Sequence, residues 1–197
     1  MKLLLFRSFV AFLIQLSVGT VFAADNPQPS RADVGKMRAA HAALRSAPLE
    51  VKITYLLDRA EITDLVTAYG YSVDTRDWDL QKAIFTDEYQ NDSSGKPAKQ
   101  TAAQRGAALA KFFTAFEATQ HLVFPQTFSI EADTAYVTAS LHARHYHSNG
   151  DPEKNTLLFG QYEFWLTRTA DGWRIARMNM VNRTKFTTAP GLVLSSK

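Results

Sequence analysis

The hydrophobic pattern of the chain changes period after Glu117. Before it, Ile62, Leu65, Val66, Tyr69 and Val73 recur at helical spacing, an apolar stripe that predicts a helix facing a core. Asp58 and Glu61 stand at cap and N3 spacing and predict where that helix starts. The stripe stops at Val73-Asp74, and "TRDWD" leads into a short second helix holding Leu80, Ile84 and Phe85. A strand-like "EYQND" and a polar loop "SSGKPAKQ" follow. A third helix opens with Thr101 and Gln104 in capping-box spacing and presents Leu109, Phe112, Phe113 and Phe116 on one side. Upstream, the Pro-, Ala- and Arg-rich residues 24–50 predict an extension with one modest helix from about Asp33 to Ser46.

Beyond Glu117 the runs "HLVFPQTFSIE", "AYVTASLHARHYHS", "TLLFGQYEFWLTRT" and "GWRIARMNMVNRTKF" are rich in Val, Thr, Phe, Tyr and Trp. The turn signals "ADT", "NGDP" and "ADG" separate them. Helices followed by an antiparallel meander predict an α+β fold, a curved sheet wrapped around helices. In the second run Val137, Ala139, Leu141, Ala143, His145 and His147 share one face. An inward wall that is apolar until it ends in imidazoles is where a ligand pocket places its few polar groups.

The first 23 residues change the picture of location. Lys2 and Arg7, an apolar stretch from Ser8 to Phe22 and the small-residue pattern Val21-Phe22-Ala23 predict a signal peptide cut after Ala23. Export to the periplasm or the medium is expected, with no membrane attachment after cleavage. Without Lys2 and Arg7, 20 basic residues face 19 acidic ones and the formal charge falls from +3 to +1. No basic cluster is interleaved with aromatics, so no nucleic-acid partner is expected. With no cysteine, thiol catalysis and thiolate metal sites are excluded.

Two residues carry the candidate chemistry. Asp74 ends a helix, where a carboxylate meets the unfavourable end of the macrodipole, at roughly 0.3–1 kcal/mol. It could simply cap the following loop, or it could meet a cationic partner. His121 opens the first long strand and could be a hydrogen-bonded core histidine. Paired, an aspartate accepting from one ring nitrogen fixes the tautomer and leaves the other nitrogen basic, which suits proton abstraction beside a carbonyl. A competing reading places a metal on His145 and His147, with His121 and Glu153 nearby.

"LDRAEITDLVTAYGYSVDTRDWDLQKAIFTDE", "TQHLVF" and "RTADGWRIARM", in this order from about Ile53 to Phe186, resemble the SnoaL-like family of the nuclear-transport-factor-2-like superfamily. The subgroup resembled contains scytalone dehydratase and hexachlorocyclohexane dehydrochlorinase. The resemblance implies a cone-shaped α+β barrel over 51–188, with N-terminal helices packed into a strongly curved, mixed or antiparallel sheet; residues 189–197 are left as a tail. It implies Asp74 of a "D-x-x-D-W" pattern and His121 of a "T-x-H" strand start as a proton-abstracting dyad, with His145 binding or protonating a leaving hydroxyl. Arg168 resembles a position used by the dehydrochlorinase. Substrate contacts are expected from Tyr69 or Tyr71, whose hydroxyl could polarise a carbonyl, and from Phe124, Leu141 and Arg168. The tyrosine preceding the aspartate in scytalone dehydratase is Val73 here, and its later Ser and Asn are replaced by Gln161-Tyr162-Glu163, so the substrate differs. The expected activity is a cofactor-independent, metal-free elimination on a small apolar or aromatic molecule, with isomerisation, cyclisation or binding alone as alternatives. A homo-oligomer, dimer or trimer, is expected.

Overall fold

The computed structural model describes residues 31–93, 96–147 and 155–187, with the side chains of 31–32 and 182–187 excepted. The expected signal segment 1–23, Glu153 and the expected tail 189–197 lie outside the described residues. Among the described residues four helices and six strands run in the order α1 (Arg31–Ser46), α2 (Leu49–Asp74), α3 (Trp78–Ala83), β1 (Phe85–Asn91), β2 (Ala98–Thr101), α4 (Ala102–Phe113), β3 (Phe116–Glu131), β4 (Thr134–His147), β5 (Thr156–Thr169) and β6 (Gly172–Thr187). The strands form one sheet ordered β2-β1-β6-β5-β4-β3. β3 to β6 are the antiparallel meander, whereas β1 joins β6 in parallel. The parallel pair makes the sheet mixed, and it brings the helix-rich half back against the far edge of the meander. No helix among the described residues is long and apolar enough to cross a membrane.

Alternation decides which face is covered. Val137, Ala139, Leu141 and Ala143 of β4 are buried, and Phe164, Leu166 and Ile175 continue the same wall on β5 and β6. Ile62, Leu65, Val66 and Tyr69 of the α2 stripe are buried in one cluster with it, and Val73, also buried, lines the cavity described below. Thr101 caps α4 with the reciprocal Gln104 bond predicted from spacing. Phe116, however, begins β3 rather than extending α4.

The expected start of α2 is corrected. The helix begins at Leu49 and runs through Asp58 and Glu61 without a break. Their three-residue spacing puts both carboxylates on one helical face, and that face meets the β5–β6 turn instead of the helix's own backbone. Asp58 accepts from Arg168 Nη2 at 2.6 Å and from Trp173 Nε1 at 3.1 Å. Glu61 accepts from the Trp173 backbone at 2.7 Å. Gly172 sits in this turn at φ +96°, where a side chain is disfavoured and a Cβ would strike the Glu61 carboxylate.

Candidate active site

Asp74 is the last residue of α2, and its position follows from how closely that helix approaches β3. A Cβ on Gly70, one turn earlier, would lie 3.1 Å from the His121 carbonyl oxygen and 3.2 Å from Val123 Cγ2. Glycine lets helix and strand backbones come together there. The Asp74 carboxylate therefore reaches three donors on β3. Thr119 Oγ1 donates to Oδ1 at 2.8 Å, the His121 backbone N–H donates to Oδ2 at 2.6 Å, and His121 Nδ1 lies 2.7 Å from Oδ1. Burial alone would raise the Asp74 carboxyl, but the His121 side-chain and backbone bonds, the imidazole's charge and the Thr119 hydroxyl outweigh it and hold it below the ordinary carboxylate value. An ionised carboxylate only accepts, so Nδ1 carries a proton, and in the neutral imidazole the lone pair is then on Nε2. The second aspartate of "D-x-x-D-W", Asp77, caps α3 by accepting from the Leu80 N–H at 2.9 Å. Arg76, at φ 60°, donates to the Phe116 carbonyl at 2.9 Å and ties the end of α2 to the start of β3.

His121 opens onto a cavity of about 600 Å³. Phe112, Phe113 and Phe116 line it beside the imidazole rather than sealing it off. His145 lies on the same wall, its ring 5.0 Å from that of His121 and edge-on to it. Its Nδ1 is 3.2 Å from Thr156 Oγ1, and Phe113 stacks on it at 6.0 Å. His147 also lines the cavity, so the apolar face of β4 ends in the pocket as its alternation implied. Among the described residues no group of three His, Asp or Glu is placed to hold a metal ion.

The cavity includes Tyr69 but not the other expected substrate contacts. Tyr71 projects from the opposite side of α2 and is 59% exposed, because two residues turn a helix by more than half a circle. Phe124 is 70% exposed on the outer face of β3, one pleat step from inward Val123. Leu141 is packed within the core, below the cavity surface. Arg168 sits at the end of β5 over the Trp173 ring, 2.6 Å from Asp58 and 3.1 Å from Asp133, outside the cavity.

Several cavity residues were missed from the sequence, Arg105 the charged one among them. Arg105, on α4, is 6% exposed and lines the cavity. Nη2 donates to the Tyr69 hydroxyl at 2.7 Å and Nη1 to the Tyr89 hydroxyl at 3.2 Å. The signal was available: Arg105, Leu109 and Phe113 stand four residues apart, so an arginine occupies the stripe that α4 turns inward.

A cavity closed by helices on one side and a mixed sheet on the other, with an Asp-paired histidine at its wall, defines a small-molecule pocket of the α+β cone type. The chain belongs to the SnoaL-like domain family, whose model matches residues 54–179. Among solved structures it resembles the Kfla4162 protein from Kribbella flavida, at 31% identity over 67% of this chain and 95% of that one, with a TM-score of 0.63. A scytalone-dehydratase-like protein from Novosphingobium aromaticivorans shares 18% identity over 70% of this chain and 92% of its own, with a TM-score of 0.60. Hexachlorocyclohexane dehydrochlorinase LinA-type3 from Novosphingobium barchaimii shares 16% over 74% and 99%, with a TM-score of 0.61. These last two likenesses are of fold. No curated protein matches the chain.

Proposed function

We propose that the protein is a cofactor-independent lyase that eliminates water from a small apolar or aromatic carbonyl compound. The observation that carries this reading is the 2.7 Å contact between His121 Nδ1 and Asp74 Oδ1 on the wall of a cavity large enough for such a molecule. His121 Nε2 removes a proton from the carbon next to the carbonyl, and Asp74 stabilises the imidazolium that forms. The Tyr69 hydroxyl, which has no acceptor for its own proton among the described residues, polarises the carbonyl oxygen. The electron pair released at carbon forms the double bond, and the β-hydroxyl leaves as water with a proton donated by His145. Thr156 can donate to Nδ1 of His145, which places the transferable proton on Nε2. Isomerisation or cyclisation would begin with the same proton abstraction; a β leaving group selects elimination. Opening of His121 onto the cavity favours catalysis over binding alone.

The test is a screen of aryl β-hydroxy ketones for loss of water, with deuterium uptake next to the carbonyl followed by NMR in D₂O. His121→Ala and Asp74→Asn should keep the wild-type circular dichroism and lower both rates by about 10²–10⁴-fold. Unchanged exchange and turnover in either variant would remove the dyad from the mechanism.

We further propose that the protein is exported and acts as a homo-oligomer. The basic Lys2 and Arg7, the apolar run and the small residues before Ala24 support export. A purified mature chain whose mass begins at Ala24 is the expected result, and an intact Met1 overturns it. Oligomerisation is supported by the apolar outer face of β3, where Leu122 is 57% and Phe124 70% exposed.

A further inference from the structure

Among the described residues Arg105 is a buried cation without a counter-ion. Among the described residues no carboxylate lies within ion-pairing distance of it, whereas Arg168 meets Asp58 and Arg177 meets Asp92, each at 2.6 Å. Its surroundings are the rings of Tyr69, Phe85 and Tyr89, at 5.3, 5.0 and 5.7 Å from the guanidinium carbon. Among the described residues its two hydrogen bonds use two of five N–H donors, and Nε has no partner. The acceptors are phenol oxygens, which offer a dipole and not a charge. Tyr89 donates its own O–H to Gln100 Oε1 at 2.8 Å, and burial, acting against Arg105, raises its hydroxyl above the usual tyrosine value, so it stays neutral. Taking an unpaired charge out of water is costly, and a charge held so at a cavity wall is matched when an anion enters.

We infer that Arg105 is the anion subsite of this cavity and that the ligand is a small aromatic 2-oxo acid, its carboxylate on Arg105 and its oxo group on Tyr69. The two donors touch, at 2.7 Å, so the groups they receive belong on neighbouring carbons. The assignment of the oxo group rests on the role proposed above for Tyr69; the carboxylate assignment does not. In a 4-hydroxy-2-oxo acid the proton taken by His121 is on C3 and the hydroxyl leaves from C4.

Benzoylformate and its methyl ester separate these statements, since neither has an enolisable proton and both can be titrated calorimetrically into the full mature protein. Benzoylformate should bind wild type at least tenfold more tightly than the ester. Arg105→Met should remove that preference, acid and ester binding within about twofold of one another. His121→Ala should keep it, so loss of turnover with retained preference confirms the subsite independently of the dyad. Equal affinity of acid and ester for wild type overturns the proposal, as does a preference that survives in Arg105→Met. Should that variant fail to fold, the Arg105 Nε–H resonance of wild type decides: it should shift with benzoylformate and not with the ester, and an unmoved resonance overturns the assignment.

Discussion

A carboxylate at a helix C-terminus is misplaced unless something else satisfies it, and Asp74 is satisfied three times over by β3. Hydrogen bonds to a charged group contribute about 1.5–3 kcal/mol each. They outweigh the roughly 0.3–1 kcal/mol of macrodipole repulsion. The anomaly of Asp74 could be seen in the sequence, because the stripe before it fixes the end of the helix. Its partner was named through the resemblance, which implies the histidine of a T-x-H strand start; that the same start also supplies a hydroxyl and a backbone N–H is seen only in the fold. Arg105 was harder to find. A single arginine in an apolar stripe reads as a long side chain reaching solvent, and nothing local says that Tyr69, 36 residues away, will receive it. Tyr71 failed for the opposite reason: proximity in sequence to Asp74 says little when the helix turns its hydroxyl outward.

Elements sit where they do because of pairs whose meaning depends on distant chain. Asp58 and Glu61 have the spacing of a cap, and local spacing cannot distinguish a helix start from a mid-helix pair that grips another element. The β5–β6 turn is that element, held through Arg168 and Trp173. Arg168→Met should therefore lower stability by about 1–3 kcal/mol by leaving the Asp58 carboxylate short of a donor, and should leave benzoylformate binding unchanged. Burial works to raise the Asp58 carboxyl, but the Arg168 and Trp173 bonds and the guanidinium charge bring it below its ordinary value. The folded state thus binds the proton less readily than the unfolded chain. The stabilisation is complete above the unfolded carboxyl value of about 3.9 and is lost as the pH falls through the lower folded value. Urea titrations at pH 7 and pH 3 check both statements: the wild-type advantage over Arg168→Met should be present at pH 7 and reduced at pH 3. An equal advantage at both would assign the loss to packing on Trp173 instead.

At the scale of the whole molecule, the period change at Glu117 was enough to predict helices folded into a meander, because pleat alternation and helical stripes each bury one face. The parallel join of β1 to β6 was not legible, since the pairing residues are about 90 positions apart and short β1 carries no period of its own. That join leaves β3 at one edge of the sheet, and the outer face there is apolar where a lone domain would be polar. Phe124 and Leu122 point outward on alternate residues, Leu122 pairs across to His142, and the His142 ring stacks on Phe159 with centroids 4.5 Å apart. His142 Nε2 is buried without a partner among the described residues, a polar atom inside an apolar row. Single exposed apolar residues are ordinary; here exposed Leu122 and Phe124 on β3 adjoin the half-buried His142–Phe159 stack on β4 and β5, which supports the proposed contact. A second copy covering this row accounts for the proposed oligomer. Light scattering should return a multiple of the chain mass for wild type and one chain mass for Phe124→Glu, which sets a charge in the middle of the contact. The cavity lies on the other face of the sheet, so the monomeric variant should still prefer benzoylformate to its ester. A wild type that scatters as one chain would leave the row uncovered and overturn the assembly.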